Sequence, residues 1–455
     1  MGTRLAVETL AARAAARLSR LARTGGGTTL PGKLLWKLDP AAIDALAARL
    51  PQGVALISAT NGKTTTTAMV AEILGDGRRL AWNSSGANLV SGIASELLAS
   101  PNAELGLFEV DEGALPEVAR RVRPRTLMLG NLFRDQLDRY GELELIAERW
   151  RETVRRLGGT TTLVLNGDDP QVGDLAREST DAVTYGLDDP AQARSVLQHA
   201  ADSRYCVRCG RPYEFAAAYV GHLGDYRCAN CGHARPELQV VARSIELRGL
   251  ESASFELVTP AGQTRVRLPL PGLYNVYNAV GAAALAHVLG APLGEIRVGL
   301  ERFGAAFGRF ERIVAGDKTI LVLLIKNPAG ANEVIRTLED GGAPPILLVA
   351  LNDAIADGKD VSWIWDVDLE PLLARTDCLI ASGGRAAELG VRCVYGGLPE
   401  ASLEVQPELE RALDRGLQLT PEHGELVVLP TYTAMLAIRR IFTQRGLVNP
   451  WWEKR

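Results

Sequence analysis

One short stretch constrains the fold more than any other. Residues 54–58, Val54-Ala55-Leu56-Ile57-Ser58, have the character of a buried strand. They break into Ala59-Thr60-Asn61-Gly62-Lys63-Thr64-Thr65 and then into helical sequence over 65–74. A strand that turns through Gly-Lys-Thr into a helix aims backbone N–H groups and the helix N-terminus at one point, which suits phosphate oxygens. Lys63 is placed to reach the β- and γ-phosphates of ATP, and the Thr64 hydroxyl to bind Mg2+. The first glycine of the usual pattern is replaced by Ile57, so the strand and helix flanks carry much of the signal.

The flanking text repeats that unit. Strands are predicted at 54–58, 105–110, 126–129 and 162–165, with helical segments such as 65–74 and 116–123 between them. Such alternation predicts an α/β fold with a parallel sheet. The rhythm breaks near residue 190, and 236–268 reads as short β segments. A helix starting near Asn275 restores the pattern. Past Arg309 a second series follows, with strands at 320–325, 346–351, 378–381 and 426–429. At 455 residues the chain exceeds one ordinary core. The expected division is a helical segment at 1–50, a central ATPase domain at 51–311 and a Rossmann-like α/β domain at 312–455. The first segment carries Leu5, Leu10, Leu18 and Leu21 on one helical face and is expected to pack on the next domain. It lacks the apolar core and cleavage site of a secretory signal, and no apolar run reaches the roughly 20 residues that span a bilayer. A cytoplasmic, non-transmembrane protein is expected. A net charge of −4 and a pI near 5.9 argue against general nucleic-acid binding.

Four of the six cysteines form two close pairs, Cys206/Cys209 and Cys228/Cys231. Two C-x-x-C knuckles can set four thiolates around one Zn2+ in a closed tetrahedral site. Gly210 and Gly232 follow the knuckles and let backbone amides face the sulfurs. With no open position the metal would be structural, and residues 201–235 are expected to form a zinc ribbon inserted in the ATPase domain. Cys378 and Cys393 lie in apolar, strand-like runs and read as core residues.

Several segments, in order, resemble the Mur ligases and the related folylpolyglutamate synthases. They are the loop Thr60 to Thr65; Glu109 in Phe-Glu-Val-Asp-Glu-Gly; the stretch Asn131 to Tyr140; and Asn166-Gly167-Asp168-Asp169-Pro170. Further on come Asn275 and Asn278 at a helix start, Gly308-Arg309-Phe310-Glu311, and Lys326-Asn327-Pro328. The resemblance implies a Mur-ligase-type central ATPase domain. It implies that Thr60, Asn61, Gly62, Lys63, Thr64 and Thr65 hold the phosphates, and that Asn275 and Asn278 meet the adenine. Arg309 would reach the γ-phosphate, and Thr64 and Glu109 would bind Mg2+.

The four-cysteine insertion, the missing N-terminal UDP-binding domain, and the run from Leu351 to Asp366 narrow the resemblance to the MurT-type branch. That branch implies a heterodimer with a GatD-type glutamine amidotransferase and lipid II as substrate. The implied reaction is ATP-dependent amidation of the α-carboxyl of D-glutamate through an acyl phosphate, with Lys63 and Arg309 offsetting the developing charge. Asp360 would orient the histidine of the partner's Cys–His pair, with Asp353 and Asp357 as rivals in the same loop. Gln136 stands where the family carries a metal-binding histidine. Arg149, Arg151 and Arg155 occupy the helix where many members carbamylate a lysine. Two alternatives remain open at this level: a stand-alone amino-acid ligase, and a zinc-ribbon scaffold with a vestigial nucleotide site.

Overall fold

The computed structural model describes residues 29–135, 143–194, 197–198, 201–304, 310–342 and 344–449. The segment bearing Leu5 to Leu21, Gln136 and Arg309 lie outside the described residues.

Two α/β bodies carry the fold. Nine strands make the first sheet: β1 (Val54–Ser58), β2 (Leu80–Trp82), β3 (Leu105–Glu109), β4 (Thr126–Leu129), β5 (Thr162–Asn166), β6 (Ala182–Leu187), β9 (Val240–Arg248), β10 (Ser252–Thr259) and β11 (Gly262–Leu268). The hairpin β7 (Glu214–Val220) and β8 (Leu223–Arg227) stands apart from it. The sheet order is β11-β10-β9-β6-β5-β4-β1-β3-β2, parallel from β2 to β9 and antiparallel over β9–β11. β1, β3 and β4 are buried along their whole length, as central strands covered on both faces must be. On one face lie the helices Lys63–Gly75, Leu273–Val288 and Leu293–Arg302, packing Met69, Ile73, Leu285 and Leu300. On the other lie Leu30–Leu38, Ala42–Ala47, Val90–Ala99, Leu115–Val122 and Leu143–Leu157, packing Leu35, Ile43, Leu97 and Trp150.

The second sheet has β12 (Phe310–Ala315), β13 (Lys318–Leu323), β14 (Ile346–Ala350), β15 (Cys378–Ser382), β16 (Leu403–Val405) and β17 (Glu425–Pro430) in the order β12-β13-β17-β14-β15-β16. Only the β12/β13 pair is antiparallel. Side chains alternate between its faces. Leu321 and Leu323 join the core under the helices Pro328–Asp340 and Ala386–Tyr395, while Ile320 and Val322 face the helices Leu409–Leu419 and Tyr432–Gln444.

Three expectations are corrected. The second sheet begins at Phe310, two residues ahead of the expected start at 312, and Glu311 pairs with Arg439 of the last helix. Residues 236–268, expected as short β segments, are β as expected but form three strands of nine, eight and seven residues that extend the first sheet. Cys393 sits on the helix Ala386–Tyr395 rather than in a strand, buried four residues after Leu389 on the same face.

Candidate active site

The loop between β1 and the Lys63 helix is held from several sides. Gly62 has φ 85°, and a Cβ there would lie 2.0 Å from Asn278 Oδ1. Glycine is therefore required both by the left-handed turn and by the approach of the Leu273–Val288 helix. Thr60 N donates to Asn131 O (2.8 Å), Asn61 N to Asn131 Oδ1 (2.9 Å), and Asn131 Nδ2 returns to Asn61 O (3.0 Å). Thr65 and Thr66 are buried on the first turn, with Thr64 half-buried between Lys63 and Thr65.

Lys63 is only 7% exposed, and its Nζ donates to Ala59 O (2.9 Å) and Glu112 Oε2 (3.0 Å). Burial pushes the Lys63 pKa down, but Glu112, Glu109 and Asp111 outweigh it and hold the ammonium above its ordinary value. Burial likewise pushes Glu112 up, and Lys63 and Lys326 outweigh it to hold that carboxyl low. The main chain of Glu112 is fixed by Trp150 Nε1 (3.1 Å).

Glu109 ends β3 with its backbone clamped by Asn83, which accepts from Glu109 N (3.0 Å) and donates to Glu109 O (2.9 Å). The residue is 1% exposed, and neither carboxylate oxygen has a hydrogen-bond partner among the described residues. An unpaired buried carboxylate costs several kcal/mol, on the order of the desolvation penalty for a buried ion, unless a cation satisfies it. The donor set therefore fits Mg2+, a hard ion that takes carboxylate and hydroxyl oxygens.

Asn278 overlies the loop and accepts from Thr66 Oγ1 (3.4 Å), whereas Asn275 spends its amide on Pro271 O (2.8 Å) and takes Asn278 Nδ2 on its oxygen (3.2 Å). Of the two asparagines, Asn278 is the one that meets the phosphate loop. The cavity lined by Ile57, Asn61, Lys63, Tyr185 and Asn278 encloses only about 10 Å³, roughly the room of one water.

The second sheet reaches the same loop. Lys326 Nζ donates to Thr60 O (2.9 Å) and Asp135 Oδ2 (2.6 Å). Asn327 and Asn61 exchange side-chain hydrogen bonds of 3.0 and 3.3 Å, and Asn327 Oδ1 also caps the Pro328–Asp340 helix through Gly330 N (2.9 Å). Sequence reasoning did not single out Glu112 or the contact made by Lys326. The third acid of Phe-Glu-Val-Asp-Glu-Gly was a usable signal for Glu112. No local pattern could reveal a contact between residues 266 positions apart.

The four cysteines converge. Their Sγ atoms lie within 4.8 Å of one another, with 3.5 Å between Cys206 and Cys231 and between Cys209 and Cys228. Thiolates about 2.3 Å from a tetrahedral zinc stand about 3.8 Å apart, so the donor set fits that ion. Gly210 (φ 71°) and Gly232 (φ 74°) return their amides to Cys206 O (2.8 Å) and Cys228 O (2.9 Å). The cluster is anchored to the first body by buried Asp174, which accepts from Arg208 Nε (2.8 Å) and Arg151 Nη1 (2.8 Å).

Asp360 lies elsewhere, exposed in the second body. Its Oδ1 accepts from Ser362 N (2.8 Å), and that amide holds the carboxyl below its ordinary pKa. It thus closes an Asx turn that leads into the short helical turn Ser362–Asp366. Asp357 is buried and committed to Thr433, accepting from its N (2.8 Å) and its hydroxyl, while Asp353 stands 3.6 Å from Arg385.

A mostly parallel nine-stranded sheet with a phosphate loop at the end of β1, clasped by a second α/β body, defines the Mur-ligase class of fold. The pseudomurein peptide ligase type C of Methanothermus fervidus superposes with a TM-score of 0.70 at 23% identity, over 88% of this chain and 80% of that one. Residues 57–235 match the Mur ligase middle domain, and 324–435 match the MurT ligase C-terminal domain. The MurT subunit of the glutamine-hydrolysing lipid II isoglutaminyl synthase of Streptococcus pneumoniae is 33% identical over 94% of this chain and 95% of its own length. The same subunit of Staphylococcus aureus is 32% identical over 92% and 95%. The chain belongs to the MurT family.

Proposed function

We propose that this chain is the ATP-using subunit of a lipid II isoglutaminyl synthase. The γ-phosphoryl group of ATP passes to the α-carboxylate of D-glutamate in the stem peptide: the carboxylate oxygen bonds to phosphorus as the bond to ADP breaks. Ammonia, released from glutamine by a GatD-type partner, then attacks the acyl phosphate, and phosphate leaves as the D-isoglutamine amide forms. Lys63 and Arg309 offset charge on the transferred group. Thr64 and Glu109 would hold Mg2+, which supplies further neutralisation of the phosphates. Thr60, Asn61, Gly62, Thr65 and Asn278 shape the phosphate cradle, with Asn275 bracing Asn278. Cys206, Cys209, Cys228 and Cys231 would hold a structural zinc in an inserted ribbon, and the second sheet serves as a Rossmann-like body that meets the partner. Among the described residues no helix is long and apolar enough to cross a membrane. The subunit works in the cytoplasm and meets its lipid-linked substrate at the membrane surface.

The observation that carries this reading is the presence, in a chain related to MurT subunits over nearly its full length, of Lys63 at a phosphate loop together with a buried carboxylate, Glu109, that has no hydrogen-bond partner among the described residues. Full-length similarity to those subunits favours it over a stand-alone amino-acid ligase. The test is co-purification with a GatD-type amidotransferase, followed by mass spectrometry of the stem peptide. Conversion of the glutamate carboxyl to an amide should require both ATP and glutamine; amide formed without glutamine hydrolysis refutes the scheme.

Asp360 supplies the missing acid of the partner's Cys–His pair, orienting its imidazole. In support, it is exposed, whereas Asp357 is consumed by Thr433. Asp360→Asn is expected to abolish glutamine hydrolysis by the complex, with ADP binding unchanged. Retained glutaminase activity removes Asp360 from the mechanism.

A further inference from the structure

The phosphate loop is held on two flanks. On one flank Asn131 and Phe133, from the segment after β4, bond Thr60 and Asn61. On the other, the first residues after β13 bring Lys326 onto Thr60 O and Asn327 onto the Asn61 amide. Lys326 joins the two flanks, because Asp135, its 2.6 Å partner, belongs to the segment after β4. Its ammonium also lies near enough to Glu112 to help hold that carboxylate ionised beside Lys63. A lone surface lysine would have no reason to seek a backbone carbonyl of a phosphate loop in another body. This one is largely covered, with 27% of its side chain exposed, and its neighbour Asn327 is buried.

We propose that Lys326 is a positioning residue for phosphoryl transfer: by bridging Thr60 O and Asp135 it locks the second body onto the phosphate loop and sets the loop's alignment when the two bodies are closed. The inference rests on the ATP-dependent reading above and adds a residue to it. A loop misplaced by about an ångström loses up to about a hundredfold in rate while still binding nucleotide. The effect therefore belongs in kcat rather than in nucleotide affinity.

The experiment uses the complex with its amidotransferase and compares Lys326→Met, Lys326→Arg and Asp135→Asn with the parent. Lys326→Met is expected to lower the amidation kcat by between about tenfold and a hundredfold, with the Kd for ADP within about threefold of the parent. Lys326→Arg, which keeps a cation at that reach, should recover most of the rate. Asp135→Asn should fall between. Hydrogen exchange provides a readout that needs no turnover. In Lys326→Met the amides of residues 59–62 should exchange about tenfold faster, as in a locally released segment, with the cysteine-cluster segment unaffected. A kcat within twofold of the parent, or equal losses in kcat, ADP affinity and melting temperature that arginine does not rescue, overturns the proposal. Should the parent complex make no amide, the functional reading fails instead, and the exchange of residues 59–62 alone decides the clamp.

Discussion

At the scale of single residues, the buried pair Lys63–Glu112 makes the clearest demands. Two ions at 3.0 Å with little solvent contact compensate each other, and removing one leaves the other stranded at a cost of about 3–5 kcal/mol. Lys63→Met and Glu112→Leu are each expected to destabilise the chain by about that amount in urea unfolding, and the double variant to recover most of the loss, since an apolar pair of similar volume is roughly neutral. Additive losses would mean that the pair is not coupled. The pH dependence follows from the directions of the two shifts. Glu112 is held below its ordinary 4.5, so its contribution is complete above that pH and disappears as pH falls through the lower folded value. Lys63 is held above 10.5, so its contribution is complete below that pH and disappears as pH rises through the higher folded value. Between these limits the pair gives stability no slope, and a pH-dependent loss between 6 and 9 that disappears in the double variant would contradict this account.

At the scale of elements, the four-cysteine segment depends on something outside its small core. Its buried apolar contacts are few, chiefly Tyr213, Tyr226 and the flanking cysteines, too little for a free-standing unit. A strong chelator is expected to release about one zinc per chain and to expose residues 204–235 to protease, while the phosphate loop, anchored through Asn131 and Asn278, keeps its ADP affinity. Retention of protease resistance after full metal removal would show that packing alone suffices. The elements also show what the sequence could disclose. Residues 54–58 and 126–129 were legible as strands to the residue, because a strand buried on both faces is written as an unbroken apolar run. β9–β11 were legible only as β, because half-exposed alternation does not say which sheet a strand joins. β13 begins at Lys318, earlier than expected, since Lys318 and Thr319 are polar yet pair with Val314 and Ala315 across a hairpin. Cys393 was misplaced because a helix face and a strand share short apolar runs. The phosphate loop and the metal-type knuckles were legible because their chemistry is local, and Glu112, Asn131 and Lys326 found their roles only through contacts distant in sequence.

At the scale of the whole molecule, the two bodies meet where nucleotide chemistry is expected. Arg336 extends the contact beyond the loop, donating to Tyr219 O (3.0 Å) and Gln192 O (3.1 Å) from the middle of the Pro328–Asp340 helix. MgADP at a hundred times its Kd is therefore expected to stabilise the chain by about 2.7 kcal/mol. It should also slow hydrogen exchange in that helix as well as in the Lys63 helix, and protection confined to the first body would show that the bodies respond separately. The cavity at Lys63 has one further consequence. Its walls come from the first body alone, while Lys326 and Asn327 of the second body touch the loop from outside it. The first body thus carries the keyhole, and the second only latches it.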